Sequence, residues 1–171
     1  MKLQAHGIET DLPPGWEGRI ALRTAPGATA RATDDPSDQP SARAIGTQGE
    51  VPNPVVHLAN FALPEDRGDF GSGAVDLMGE ADVLVVLFEY GPDSVGKALF
   101  KRKGIPTGLT PNMFSSSALQ RTLPGQAGCQ VFFTVENRAF CCYTVLGRQS
   151  AANRVLPQAN ATLAATRIAA R

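Results

Sequence analysis

The sequence predicts an α/β domain of the α+β kind: a mainly antiparallel, twisted sheet with a C-terminal helix and one or two short helices packed on it. Three stretches lead there. Val83 to Phe88 is an unbroken apolar run dominated by β-branched and aromatic residues, the composition of a central strand. Cys129 to Gly147 reads as two strands joined by a polar turn at Asn137-Arg138. Beyond Ser150 or Asn153, Leu156, Ala159, Asn160, Leu163 and Arg167 fall near one helical stripe, with Val155, Thr162 and Thr166 alongside, so a helix can lay an apolar face on the sheet. Pro157 fits that helix only in its first turn or at a kink.

The other elements follow in chain order. Lys2 to Leu12 alternates loosely, as a strand with one solvated face does. Leu12-Pro13-Pro14-Gly15 ends it: each proline biases the residue before it away from the helical region, and Gly15 tolerates a positive φ. Trp16 to Arg23 is a second strand, and an indole burying roughly 150 to 250 Å² anchors the corner between the two. Residues 25 to 54 hold almost no large apolar side chain, which predicts a long mobile loop serving as a docking element or a tolerated insertion. Val55 to Leu63 is a third strand, buried on both sides. Residues 65 to 73, EDRGDFGSG, form a glycine-rich loop ahead of a short segment around Ala74 to Met78. Asp93 or Ser94 caps a helical turn through Phe100, with Lys101-Arg102-Lys103 complementing its carbonyl end. Met113 to Leu123 contains a further strand. No internal repeat or linker divides the chain, so residues 1 to 171 read as one domain.

Composition narrows the function classes. Sixteen basic residues balance sixteen acidic ones, so no global field directs the protein to nucleic acid or an anionic membrane. The first twelve residues lack the apolar run of a secretory leader, and Val83 to Phe88 is far short of a bilayer span. A soluble, cytoplasmic protein is the expectation. Cys129, Cys141 and Cys142 are odd in number and lack metal-ligand spacing, which disfavours a disulfide scaffold and a zinc ribbon. With the turn at Asn137-Arg138, Phe133 faces Cys142 and Cys129 faces Leu146. One face then carries Cys129, Val131, Phe133, Val135, Phe140, Cys142 and Leu146, and Cys129 lies roughly 13 Å from Cys142.

No catalytic constellation emerges. His6 and His57 stand apart from any Cys, Asp or Glu at ligand spacing. Asp69-Phe70-Gly71 copies a kinase tripeptide without the rest of the kinase signature. Gly71-Ser72-Gly73 could offer backbone N–H groups to a phosphate, but reads more simply as a turn. Asp34, Asp35 and Asp38 fall in the predicted loop, where preorganisation is poor. The sequence therefore calls for no metal, no cofactor and no enzyme activity.

The order of landmarks resembles the PsbP-like superfamily, whose fold is shared by a Ran-binding nucleotide release factor and by small bacterial proteins. The likeness rests on "LPPGW" at Leu12 to Trp16, the apolar strand pair, the hairpin "CQVFFTVENRAFCCYTVLG" and a closing helix running into "LAATRI" at Leu163 to Ile168. It implies an antiparallel sheet with packed helices and a role in docking to larger protein assemblies, with no catalytic residues to carry over. The expected function is thus a non-enzymatic accessory domain that binds another protein, with Trp16, Asp69, Phe70 and Tyr90 as candidate binding residues. The alternative is a small-ligand carrier with a pocket between sheet and helix lined by Trp16, Phe61 and Tyr90.

Overall fold

The computed structural model of this chain describes residues 1–23 and 52–171. Most of the predicted 25–54 loop lies outside those residues. Its described end belongs to the body: Asn53 is buried and Pro54 opens a strand.

Two antiparallel sheets and a closing helix make an α+β fold. The smaller sheet contains β1 (Lys2–Ala5), β2 (Ile8–Asp11) and β8 (Thr166–Ile168), in the order β1-β2-β8. The larger contains β3 (Glu17–Leu22), β4 (Pro54–Ala59), β5 (Val83–Glu89), β6 (Ala127–Val135) and β7 (Arg138–Leu146), in the order β3-β4-β5-β7-β6. The apolar run centred on Val85 is therefore the middle strand, buried along its whole length.

Two expectations about the ends of the chain need correction. Lys2 to Leu12 is a hairpin, because His6 and Gly7 both take left-handed φ values of 52° and 74° and make a two-residue turn. After the helix, the "TRI" of "LAATRI" is not helical: it pairs as β8 with β2, Ile8 opposite Ile168. The Pro-Pro-Gly corner accordingly carries the chain from one sheet to the other. Gly15 sits at φ 81° and the Trp16 N–H donates to the Pro13 carbonyl at 3.2 Å, a turn of type II with proline and glycine at its two central positions. Trp16 is buried in the core it enters.

The late hairpin turns at Glu136-Asn137, one residue earlier than expected, with φ values of 48° and 58°. Arg138 cannot serve in the turn because it is a buried strand residue tied to Glu89. Phe133 thus faces Phe140, and Cys129 faces Thr144. A two-residue slip preserves side-chain parity, so the expected apolar face survives intact. Cys142 lies opposite Val131, making it a diagonal neighbour of Cys129 at roughly 7–8 Å rather than 13 Å. All three thiols are free and buried.

Met113 to Leu123 is not a strand. It contributes 3-10 turns at Pro111–Met113 and Ser116–Ala118 and a single bridge from Ser115 to Gly128, with the Ser115 hydroxyl accepting from the Ser117 N–H. Serine side chains that satisfy nearby backbone N–H groups favour such turns over strand ladders. At the other end of β6, the Thr134 N–H donates to the Arg102 carbonyl. Lys101-Arg102-Lys103 therefore borders a strand edge; the element before it is only a 3-10 turn, Ala98–Phe100, with no helix dipole to complement. A second 3-10 turn, Pro92–Ser94, precedes it without a side-chain cap.

Helix α2 (Ala152–Ala164), led in by a 3-10 turn at Gln149–Ala151, runs through Pro157. The proline has no N–H to give the Asn153 carbonyl. Ala152, Val155, Leu156, Ala159, Thr162 and Leu163 are the buried side of the helix. All of these but Thr162 join Trp16, Val56, Leu58, Val85, Leu87, Phe133 and Phe140 in one cluster. On the opposite face of the large sheet, Val55, Ala59, Leu84, Val86, Phe88, Cys141, Tyr143 and Val145 form a second cluster. It is covered by the segment leading through the single-turn helix α1 (Ser72–Val75), from which Phe61, Leu63, Phe70, Val75 and Met78 pack down.

Candidate functional site

The face opposite α2 carries a connected row of rings. Phe70 stacks on Phe88 with centroids 4.3 Å apart, and Phe88 meets Tyr90 edge-on at 5.1 Å. Tyr90 meets Phe100 at 5.1 Å, and Phe100 meets Phe132 at 5.6 Å. These geometries are the ones the ring quadrupole favours. The Arg23 guanidinium lies 4.3 Å above Phe88. Phe88 and Phe100 are buried, while Phe70, Tyr90 and Phe132 are only half-buried, and Leu99 beside Phe100 is 58% exposed.

Of the four residues singled out from sequence, three meet here. Phe70 and Tyr90 belong to the row, and Asp69 supports it through its carbonyl, which accepts a 3.0 Å hydrogen bond from His57 Nε2. Trp16 sits in the cluster on the other side of the sheet. A pocket shared by Trp16, Phe61 and Tyr90 therefore does not form, because Phe61 and Tyr90 pack against the face opposite α2.

His57 is buried, and desolvation, reinforced by the Arg67 charge, lowers its pKa from 6.5 to about 4. A neutral ring that donates from Nε2 leaves Nδ1 as an acceptor, and Nδ1 has no partner among the described residues. The glycines above it serve packing. The Gly71 N–H donates to Gly68 and the Gly73 N–H to Arg67, so neither is turned towards a phosphate, and a Cβ on Gly73 would collide with the Asp66 carbonyl.

Tyr90 also lines a cleft of about 440 Å³ at the end of β5 and β7. At its base lies an ion pair that sequence reasoning missed, Glu89 with Arg138, each 3% exposed. Arg138 Nε donates to Glu89 Oε1 at 3.0 Å and Nη2 to Oε2 at 2.7 Å, a bidentate fork. The same guanidinium reaches the small sheet, donating to the carbonyls of Ala169 at 2.9 Å and His6 at 3.2 Å. Arg171 joins from the rim, its Nη2 donating to Glu89 Oε2 at 3.1 Å and to Asn53 Oδ1 at 2.9 Å. The sequence holds one sign of it, since Glu89 and Arg138 are the only charged residues of their two strands, but the register that pairs them is not readable locally.

The thiols are poor nucleophiles. Burial pushes Cys141 and Cys142 up to about 12 and raises Cys129 as well, so all three stay protonated at neutral pH. Among the described residues no group of three or more His, Cys, Asp or Glu is placed to hold a metal ion, and no helix is long and apolar enough to cross a membrane. Comparison with family models, with curated proteins and with solved structures found no match to this chain.

Proposed function

We propose that this chain is a non-enzymatic accessory domain that docks onto another protein through the sheet face opposite α2. The observation carrying this reading is the pairing of half-buried Tyr90 and Phe132 with exposed Leu99, beside the exposed Lys101-Arg102-Lys103 run. Aromatic anchors with apolar neighbours and a charged rim are the composition of protein interfaces. The protonated thiols and the buried, neutral His57 argue in the same direction, since neither supplies an activated nucleophile or an accessible base. The likeness of the landmark order to the PsbP-like superfamily supports the same role.

The test is affinity capture from native lysate with the wild-type chain and with Leu99→Asp, the two matched in thermal melting. A protein retained by the first and lost by the second supports docking at this face; identical sets of captured proteins remove the face from the account. The carrier reading draws on the cleft, whose volume falls in the range of small-molecule sites. Native mass spectrometry of the purified chain separates the two, because a retained small molecule favours the carrier.

A further inference from the structure

The two arginines at Glu89 hold it in different ways. Arg138 is fully committed: Nε, Nη1 and Nη2 all donate within the fold, and its side chain is 3% exposed. Arg171 offers only Nη2, its Nε and Nη1 have no partner among the described residues, and its side chain is 41% exposed. Its two acceptors, Glu89 Oε2 and Asn53 Oδ1, come from different segments, and both residues are 3% exposed. Both bonds of the Glu89–Arg138 fork are donated by Arg138, and Arg171 shares with it only the acceptor Oε2.

From this geometry we infer that Glu89 and Asn53 form a recognition site for a guanidinium, which Arg171 fills in cis and an arginine side chain of a docking partner fills in trans. The inference rests on the docking reading above and names the chemistry that reading lacks. Tyr90 ties the two together, since it belongs both to the aromatic row and to the wall of the cleft.

Arginine fits better than lysine because the Glu89 oxygen it approaches is already held by Arg138 at 2.7 Å. A second cation must sit beside the first. A planar, delocalised and weakly hydrated guanidinium tolerates that arrangement, whereas an ammonium is a compact, strongly hydrated point charge. Competition from the cis occupant also sets a direction. Any arginine in trans binds with an apparent affinity reduced by the fraction of molecules whose site is filled by Arg171.

The experiment titrates Nα-acetyl-arginine amide into the ¹⁵N-labelled full chain and follows the amide shifts of Asn53, Glu89 and Tyr90. Arg171→Ala, with the Glu89–Arg138 fork left in place, is expected to lower the Kd at least tenfold relative to wild type. Adding Asn53→Ala to that variant is expected to raise it again at least threefold. The citrulline and lysine analogues serve as probes of charge and shape, and weaker binding of both is expected. Equal Kd values for wild type and Arg171→Ala, no binding to either, or equal binding of the lysine or citrulline analogue would overturn the site. Thermal melts of each variant separate loss of the site from loss of the fold. Because lysate capture with Leu99→Asp reads a different surface, failure of the titration with capture intact retires the arginine site and leaves the docking reading standing.

Discussion

Beneath α2 the large sheet meets Leu156, Ala159 and Leu163, all buried, whereas on its other face it meets a loop and a row of rings of which Phe70, Tyr90 and Phe132 remain half in water. Both faces are apolar and both lie on the same five strands. They differ in the covering layer. A helix supplies its own backbone hydrogen bonds and can press an aliphatic stripe onto the sheet, so side chains interdigitate and water is excluded. The segment over the other face runs through polar turns and one short helical turn, and it leaves flat aromatic surface uncovered. The first arrangement serves stability; the second leaves area with which another molecule can pack.

Trp16→Ala should reveal the closed side most sharply. The indole is buried at the corner between the sheets, and its removal opens a cavity in a cluster to which both sheets contribute. A loss of about 3–5 kcal/mol is expected in urea melts. A loss below about 1 kcal/mol would mean that the helix side collapses freely around the gap and is no more tightly packed than its opposite.

Beneath the loop on the open face, acid is the probe. His57 is held neutral, with its pKa lowered from 6.5 to about 4 by burial and by the neighbouring Arg67 charge. A depressed folded-state value means that the unfolded chain takes up the proton first. Stability is therefore full above pH 6.5 and falls as the pH drops from about 6.5 to about 4, by roughly 3 kcal/mol in total. His57→Gln, which retains a donor for the Asp69 carbonyl, should flatten that part of the profile of stability against pH. An unchanged slope in the variant would assign the acid sensitivity to other groups.

Sequence reasoning reached the closed side more fully than the open one. Val83 to Phe88 announces a central strand because nothing polar interrupts it, and the stripe from Val155 to Leu163 announces the covering helix. The residues that share the apolar face of the late hairpin were legible even though the turn was placed one residue late and every facing pair was therefore wrong, since a two-residue slip does not exchange the faces of a strand. The hairpin at His6-Gly7 was hidden for a local reason: it lacks the Asn-Gly or Asp-Gly pair that usually marks such turns. Strand β8 was hidden because three residues directly after a helix continue its periodicity as easily as they break it. At the site, Phe70 and Tyr90 could be named but not joined. Their contact, like that of Glu89 with Arg138 across 49 positions, arises from the sheet register, which no local pattern encodes.

Phe132→Ala tests the middle of the scale. The ring is half-buried and touches Phe100 and Tyr90 at one edge of the row, so its loss removes ring contacts without opening a sealed cavity. About 1–2 kcal/mol is expected in urea melts, below the cost of Trp16→Ala. Equal costs would make the two faces equivalent in packing.

Leu99→Ala has the smallest expected effect and separates the faces most cleanly, because its counterpart Leu163→Ala makes the same chemical change under α2. Leu163 is fully buried, and its truncation should cost about 2–5 kcal/mol through lost transfer energy plus the cavity left behind. Leu99 stands in the 3-10 turn Ala98–Phe100 with 58% of its surface in water. Neither contribution applies at such a position, so its truncation should change stability by no more than about 0.5 kcal/mol. Should Leu99→Ala instead cost about 1.5 kcal/mol or more, the turn would belong to the core, the face around Phe132 would be as closed as the one beneath α2, and an exposed docking surface there would have to be abandoned. A near-zero cost leaves Leu99 with no stabilising role in the folded chain, which is how a side chain positioned to contact a partner should behave in that partner's absence.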